Sequence, residues 1–205
     1  MGLYAKHVLP RLLDLALRNK EATRLRREWI HRARGQVLEV GVGSGLNLAF
    51  YSEEVQHLLG VDPSRELLQM AQQRARLARF KIDLLARSAE DRLPLADATI
   101  DSAVLTWTLC SIADPRRALL EVKRLLKPEG RVIFIEHGRS PDSKVARWQD
   151  RLTPLWKHIA GGCTLNRQMV DVITAAGFRI EELATEYIPG PRPMTYTFKG
   201  VAVRK

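Results

Sequence analysis

The sequence predicts an α/β protein whose single domain, residues 1–205, is built on a doubly wound, mostly parallel sheet of seven strands. Three observations support this prediction. Short apolar runs alternate with amphipathic segments from residue 36 to residue 137, a glycine-rich turn follows the first run, and two β-rich runs without an intervening helix end the sequence. Strands that alternate with helices are joined by crossovers and pair in parallel, whereas the last two strands are expected to form an antiparallel hairpin.

The chain is expected to have three parts in order. Residues 8–17 and 21–33 read as two helices that are apolar on one side and rich in arginine on the other. Residues 1–35, which contain these two helices, are expected to form a lid. A cofactor-binding core follows over 36–137, and substrate-side helices and the closing hairpin occupy 138–205.

The predicted strands are short runs rich in branched apolar residues, bounded by glycine, proline or polar residues. They cover 36–40, 55–62, 80–88, 99–108, 130–137 and the segments "FRIEELATEY" and "TYTFKGVAVRK". Helices are predicted at 64–79, 115–126, 141–158 and 166–176. Ser64 and Asp114 stand where N-caps are needed, and Pro115 occupies a first helical position, where proline is favoured.

The composition, 45% hydrophobic and 27% charged, is that of an ordinary globular domain. No apolar run approaches the roughly 20 residues that a membrane helix needs. The two cysteines give no disulfide framework, so a reducing cytoplasm is the expected location.

The net charge of +10 would suit nucleic acid, an anionic membrane or an acidic small molecule. Aromatic residues make up only 6%, and no basic run is interleaved with stacking aromatics, which disfavours nucleic acid. Residues 3–17 have an apolar face that Lys6, Arg11 and Arg18 flank, and they allow two interpretations. They form the lid over a cofactor, which we favour, or an amphipathic helix in peripheral contact with anionic lipid.

The segment "LEVGVGSG" joins the first strand to the following segment, where a helix is expected. Gly41, Gly43 and Gly45 allow a sharp turn and a close approach to a ligand. A dinucleotide site requires a glycine where Leu46 stands, and no Gly-Lys-Ser/Thr follows, so a phosphate loop is excluded.

Two carboxylates flank this turn. Glu39 precedes it, and Asp62 ends the second strand, where a carboxylate can accept hydrogen bonds from ribose hydroxyls. A ligand with a ribose but no pyrophosphate is therefore indicated, and S-adenosylmethionine fits this description. A tight turn with a helix-capping aspartate is the simpler alternative, which the joint occurrence of loop, Asp62 and strand alternation disfavours.

From 37 to 137 the chain resembles the class I S-adenosylmethionine-dependent methyltransferases, which have a Rossmann-like fold, through "SAEDRLPLADATIDSAVL" and "ALLEVKRLLKPEGRVIFIEH". The resemblance implies that Glu39 and the glycines face the methionine part of the cofactor and that Asp62 faces the ribose. It implies that Ala89 and Glu90 face the adenine edge. Ser88 stands where relatives often have Asp, which leaves adenine to the backbone at 89–90. Thr106 of the fourth strand completes the predicted cofactor residues.

The segment "WQDRLTPLWKHIAGGCTLNR" and the ending "GVAVRK" are similar to those of the mammalian methyltransferase-like thiol S-methyltransferases. This resemblance implies a small-molecule acceptor, a thiol or hydrogen sulfide. Three alternatives remain at this stage: a phospholipid-amine or quinone methyltransferase, a nucleic-acid-binding protein, and a cofactor-binding scaffold without turnover.

A thiol with a pKa near ~8.5 must lose its proton before it accepts a methyl group, and neutral imidazole is the natural base. His137, after the fifth strand, and His158 are the candidate catalytic bases, although His158 equally suits a helix C-cap. Cys163 is interpreted as a small buried apolar residue. No metal is expected, because His158 and Cys163 have no second Cys/His pair at ligand spacing.

Overall fold

The computed structural model describes Tyr4 and residues 8–205, and its centre is one seven-stranded sheet. The strands are β1 (Gly35–Val40), β2 (Val55–Val61), β3 (Lys81–Leu85), β4 (Ile100–Thr106), β5 (Leu126–His137), β6 (Phe178–Tyr187) and β7 (Tyr196–Arg204). Their order across the sheet is β3-β2-β1-β4-β5-β7-β6. The first five are parallel, and β7 runs antiparallel to both β5 and β6. The predicted fold class is confirmed.

The helices lie where the apolar periodicity placed them. They are α1 (Leu9–Ala16), α2 (Lys20–Trp29), α3 (Arg65–Ala75), α4 (Pro115–Leu125), α5 (Ser143–Ile159) and α6 (Met169–Ala175). Ser64 caps α3 by accepting the Leu67 N–H, and Asp114 caps α4, as predicted. Helix α3 ends before the predicted residue 79, because the chain tightens into a turn there: the N–H groups of Leu77 and Ala78 bond to carbonyls three residues back.

The segment after β1 differs from the expectation of a helix. Between β1 and β2 the only helical piece is a 3₁₀ turn, Leu48–Phe50. The side chains of Asn47 and Tyr51 turn inward and hydrogen-bond to Glu39, which fixes the chain in an irregular path. Helix α2 covers this face of the sheet instead, packing Leu25 and Trp29 against it.

In the central strands, successive side chains point to opposite faces of the sheet, as in every β-strand. One apolar cluster contains Leu38, Leu105 and Phe134 with residues of α4 and α6. The other contains Val37, Val104 and Ile133 with residues of α2. Both faces are therefore buried, and what the sheet leaves open is the edge where the parallel strands end.

The N-terminal prediction is tested only in part. Of residues 3–17, Tyr4 and the stretch from Val8 onward are described, with α1 beginning at Leu9, whereas Lys6 lies outside the described residues. Within residues 8–205 no helix combines the length and apolar character needed to cross a bilayer. The division into lid, cofactor core and substrate side remains a prediction.

Candidate active site

The carboxyl ends of β1 and β4 lie side by side at the centre of the sheet. From β1 the chain crosses outward to β2, and from β4 it crosses in the opposite direction to β5. A crevice opens at such a switch point, because the two connections leave on opposite sides. The predicted cofactor residues Glu39, Gly41 and Thr106 all lie at or beside this point.

All three glycines of the loop have positive φ, at +69° for Gly41, +54° for Gly43 and +79° for Gly45. A Cβ on Gly41 would lie 2.3 Å from Thr108 Oγ1, so this position is closed to any side chain. A Cβ on Gly43 would meet nothing nearer than the Gly41 carbonyl oxygen at 3.8 Å. The loop is thus tightly packed at Gly41, whereas the space next to the Gly43 α-carbon is free and could hold a ligand.

Asp62, which follows β2, accepts a hydrogen bond from the glycine loop. Its Oδ2 accepts the N–H of Gly43 at 3.0 Å, and its Oδ1 accepts the N–H of Ser64 at 2.8 Å. The side chain is almost fully buried, and this burial raises its pKa above the ordinary value despite the two backbone donors. Each carboxylate oxygen keeps a free lone pair that can accept a ribose hydroxyl.

Glu39 lies beneath the loop in a closed polar network. It accepts hydrogen bonds from Asn47 Nδ2 and from the Tyr51 hydroxyl, both at 2.8 Å. The same Asn47 amide donates to Thr106 Oγ1 at 2.9 Å, and its oxygen accepts from Arg26 Nε at 2.9 Å. Burial raises the pKa of Glu39 to about 7 in spite of these donors, so this carboxyl group is poised to gain from a cationic ligand.

Helix α1 contributes a buried carboxylate to the same region. Asp14 Oδ1 accepts from Ser44 Oγ at 2.6 Å and from Arg74 Nη2 at 2.9 Å, and Arg18 pairs with its other oxygen. The pKa of Asp14 is lowered because these donors outweigh its desolvation. Helix α1 is thereby fastened to the glycine loop and to α3, a feature that sequence reasoning missed.

The adenine-edge residues lie on the loop after β3. Ala89 is buried, whereas the Glu90 carboxylate turns away and accepts the Asp114 N–H at 2.7 Å, at the start of α4. Ser88 Oγ accepts the Glu90 N–H at 3.2 Å. Both side chains are engaged within the protein, which is consistent with a role for the backbone at 89–90.

Beyond the glycine loop, the turn after β4 is held by a fully buried carboxylate. Glu136 accepts the backbone N–H groups of Thr108 at 2.8 Å, Leu109 at 2.9 Å and Cys110 at 3.4 Å. Because Thr108 packs against Gly41, the same turn borders the glycine loop at one end and presents Cys110 at the other.

Cys110, His137 and Cys163 form a compact cluster, here called the thiol–imidazole cluster. The two Sγ atoms are 3.7 Å apart, and Cys163 Sγ lies 3.8 Å from His137 Nδ1 and 3.9 Å from Nε2. Within the described part of the chain, this sulfur is the one hydrogen-bond partner of the His137 ring. The contact between the two sulfurs lowers the pKa of Cys163, with help from His137, and the same contact together with burial raises the pKa of Cys110.

A chain reversal after α5 brings Cys163 to this cluster. Gly161 and Gly162 have φ values of +62° and +88°, and a Cβ on Gly162 would lie 3.0 Å from the Ser111 carbonyl oxygen. Thr164 then donates both its N–H and its hydroxyl to the Cys110 carbonyl oxygen, at 2.8 and 2.9 Å. Glycine is needed here both for the left-handed backbone and for the close approach.

The structure separates the two candidate histidines. His137 is buried in the cluster, whereas His158 is exposed on α5, with Nδ1 positioned 2.8 Å from the Pro154 carbonyl oxygen of its own helix. The sequence-based expectation of no metal rested on pairing His158 with Cys163. That premise no longer holds, because the neighbours of Cys163 are His137 and Cys110. Cys110 and His137 follow adjacent strands, which was the signal available in the sequence.

Comparison with known proteins agrees with this geometry. The family described as "Methyltransferase domain" matches residues 38–134. A rat protein named thiol S-methyltransferase TMT1B is 36% identical over 159 residues, which cover 76% of this chain and 64% of the relative, and its human counterpart is 35% identical over the same shares. A solved structure of a SAM-dependent methyltransferase from Methanosarcina mazei has a TM-score of 0.66 and 23% identity, covering 84% of this chain and 93% of that one.

Residues 38–134 match the methyltransferase domain family, and the chain is similar in sequence and fold to the class I S-adenosylmethionine-dependent methyltransferases. S-adenosylmethionine is the cofactor of this class, and the residues present fit it. The open space above Gly43 admits a ligand, Asp62 offers two acceptors, and the buried Glu39 can compensate a cationic group. This methyltransferase chain spans about two thirds of the length of the curated relatives that it matches.

Proposed function

We propose that this protein transfers the methyl group of S-adenosylmethionine to the sulfur of a small thiol or of hydrogen sulfide. The observation that carries the proposal is the position of the thiol–imidazole cluster, at the ends of β4 and β5 and next to the glycine loop. The likeness to proteins named thiol S-methyltransferases supports it.

The glycine loop and the cluster are joined by one short turn. Thr108 contacts the loop at Gly41, and Cys110 is two residues further along the same turn. A methyl transfer requires the reacting atoms to approach within about 3–3.5 Å along one line. An acceptor placed against the cluster would therefore stand at the methyl end of a cofactor bound over the glycine loop.

The chain supplies a group that can receive the acceptor's proton. His137 is nearly buried, its imidazole contacts no carboxylate, and a neutral imidazole is an effective base near neutral pH. His137 therefore takes the role of catalytic base in the metal-free protein. His158, exposed and bonded to its own helix, is the weaker candidate.

The runner-up acceptor, a phospholipid amine, has less support. An ammonium group must lose a proton before it accepts a methyl group, and a carboxylate would both bind the cation and help to receive that proton. The carboxylate nearest to the cluster is Glu136, and its two oxygens are committed to three backbone N–H groups. The cluster offers sulfur and nitrogen instead, which favours a soft acceptor.

Peripheral contact with an anionic membrane is part of the proposal. Leu15 of α1 is 69% exposed, Leu155 of α5 is 67% exposed and Trp148 is 55% exposed. The end of α5 lies close to the N-terminal part of the chain: the Tyr4 hydroxyl donates to the Ile159 carbonyl oxygen at 3.0 Å, and Leu9 of α1 is near Gly161. Exposed basic residues lie on the same two helices or directly after α1. They are Arg11, Arg18, Arg147, Arg151 and Lys157. An apolar surface accompanied by cations suits an anionic lipid surface.

The test is direct product detection. Purified protein is incubated with isotopically labelled S-adenosylmethionine and, separately, with hydrogen sulfide, small alkyl thiols, phosphatidylethanolamine vesicles and a quinol. We expect labelled S-methyl products from the thiols, and less of them from an Asp62→Ala variant when the cofactor concentration is below the raised Kd of that variant. Methylation of the lipid amine or the quinol, with none of any thiol, would overturn the proposal.

A further inference from the structure

We propose that Cys110, His137 and Cys163 bind a thiophilic divalent metal ion, Zn²⁺ in the first instance, and leave its fourth coordination position open for the acceptor thiol. The binding of the ion stands on the geometry of these three residues alone. The role of the open position rests on the proposed function.

Two of the three separations between ligand atoms are those of a metal site, and the third, from Cys110 Sγ to the His137 ring, lies within 4.8 Å. The ligand atoms of the three residues all lie within 4.8 Å of one another. Tetrahedral zinc, with Zn–S near 2.3 Å and Zn–N near 2.0 Å, separates two sulfurs by about 3.8 Å and a sulfur from a nitrogen by about 3.6 Å. The observed separations are 3.7 Å between the sulfurs and 3.8 Å from Cys163 Sγ to His137 Nδ1.

The backbone already holds the three residues together. Cys110 is fixed from both sides, by Glu136 at its N–H and by Thr164 at its carbonyl oxygen. His137 is the last residue of β5 and is paired with Thr197 of β7. Because the main chain is set in place, the cost of assembling the ligands is small, as a preorganised site requires.

The donor set also fits the surroundings. Two thiolates and a neutral imidazole around Zn²⁺ give a complex with no net charge, which a buried position tolerates. Soft sulfur ligands select zinc and other thiophilic ions over magnesium and calcium. A structural zinc site uses four protein ligands, whereas catalytic sites keep three and an open position, and this cluster has three.

The open position gives the metal a task in methyl transfer. A thiol that coordinates zinc is deprotonated, and its proton passes to solvent. The resulting thiolate forms the new S–C bond while the bond between the methyl carbon and the donor sulfonium breaks, and that electron pair stays on the donor sulfur. No oxidant or reductant is needed. His137 then serves as a ligand to the metal instead of as a base, and Cys163, which is only half-buried, leaves an approach for the thiol.

The first experiment measures metal binding without cofactor or acceptor. Untagged protein, stripped with a chelator and kept reduced by a phosphine, is titrated with Co²⁺ and then with Zn²⁺ against a chromophoric chelator. We expect one ion per chain with thiolate-to-cobalt absorption in the near ultraviolet. Cys163→Ser and His137→Asn should weaken binding by more than about 100-fold, since even the loss of an outer-shell partner costs 10–100-fold.

Controls separate a lost ligand from a lost fold. His31→Asn removes an exposed imidazole outside the cluster and should bind metal as the unaltered protein does. Cys110→Ala keeps a small apolar side chain at the buried position, and circular dichroism reports whether each variant is folded. Absence of the cobalt absorption in the folded protein, or its persistence in folded Cys163→Ser and Cys110→Ala, overturns the metal site.

The second experiment addresses the open position. Adding a small thiol to the Co²⁺-loaded protein should shift the cobalt spectrum, and Zn²⁺ should raise the rate of thiol methylation above that of the stripped protein, most of all below the thiol pKa of about 8.5. A cobalt spectrum unmoved by thiols would overturn the open position while the metal site stands. Metal binding in a protein that methylates no thiol would overturn the proposed function alone.

Discussion

The hydroxyl of Tyr51 donates a hydrogen bond of 2.8 Å to Glu39 Oε2, so the segment after the glycine loop closes over the strand that precedes it. This contact and the Asn47 amide hold a fully buried carboxylate, and the nearby buried Arg26 guanidinium does not outweigh the desolvation of that carboxylate. The arrangement makes Glu39 a group whose ionisation opposes folding and favours the cofactor.

Glu39→Gln should therefore stabilise the cofactor-free protein above neutral pH. Burial raises the pKa of Glu39 from 4.5 to about 7, so the folded state holds the proton more tightly than the unfolded state. The free energy of unfolding is then lowered as pH rises through that interval, by on the order of 1–3 kcal/mol for this group. The variant should lose this decline, as measured by urea unfolding between pH 5 and 8.

The same variant should bind S-adenosylmethionine more weakly, because it lacks the carboxylate charge that we expect to face the methionine part. Calorimetry with the folded variant measures this loss. A Glu39→Gln protein that is less stable than the unaltered protein at pH 8 would contradict the expectation about its charge.

Asp62→Ala should weaken cofactor binding by about 1–3 kcal/mol, because hydrogen bonds to the ribose are lost. The side chain also accepts the Gly43 N–H, so the fold of the variant is checked by its melting temperature. Asp83→Asn, on the exposed strand β3, is the matched control and should bind normally. Unchanged affinity in folded Asp62→Ala would remove Asp62 from the site.

His137→Asn should lower the rate of thiol methylation by roughly 10²–10⁴-fold near neutral pH, whereas His158→Asn should have a small effect. His137 lies in the thiol–imidazole cluster and His158 does not. The loss should shrink as pH approaches the thiol pKa of about 8.5, because the thiolate then forms unaided. Rates measured from pH 6 to 9 decide this, and a larger loss in His158→Asn would reverse the assignment.

Replacing Gly41 and Gly43 in turn should distinguish a glycine that is needed for packing from one that leaves space for the cofactor. Gly43→Ala places its methyl group in open space at positive φ and should cost about 1 kcal/mol of stability. Gly41→Ala meets Thr108 as well and should cost about 1–3 kcal/mol more. We expect Gly43→Ala to fold and yet bind the cofactor poorly, by urea unfolding and calorimetry. Normal binding by Gly43→Ala would show that the ligand does not use this space.

The apolar surface of α1 and α5 should bind anionic vesicles. Flotation with phosphatidylserine in the vesicles should recover the protein, and added salt should weaken the association. Arg147→Glu with Arg151→Glu should abolish it, whereas Arg76→Glu with Arg79→Glu, an equal change of charge near α3, should not. Protein that stays behind regardless of lipid charge would leave α1 the role of lid alone.

The sequence was sufficient to predict the sheet, because each strand carries its own apolar run and each helix its own period and cap. It also pointed to Glu39, Gly43 and Asp62, which the structure brings together at the ends of β1 and β2, and their role toward the cofactor stays a prediction. The expected helix after β1 was wrong, since inward hydrogen bonds of Asn47 and Tyr51 to Glu39 decide that path. Such long-range polar contacts leave no periodicity in the sequence.

The thiol–imidazole cluster escaped prediction for a related reason. Cys163 stands close to His158 in the sequence, yet the turn at Gly161 and Gly162 carries it away from α5 and onto the Cys110 turn. The neighbours of Cys163 depend on the path of the chain after this turn, which brings it to Cys110, 53 positions away along the sequence.

Three backbone N–H groups donate to Glu136, and these hydrogen bonds set the turn that runs from Thr108, which packs against Gly41, to Cys110 of the thiol–imidazole cluster. The proposed cofactor site and the proposed acceptor site thus share one turn of the main chain. Its position depends on backbone hydrogen bonds and not on the side chains at 110 and 163. An engineer who wished to retarget the enzyme could exchange those two side chains and His137 for others, while the alignment of donor and acceptor stayed as it is.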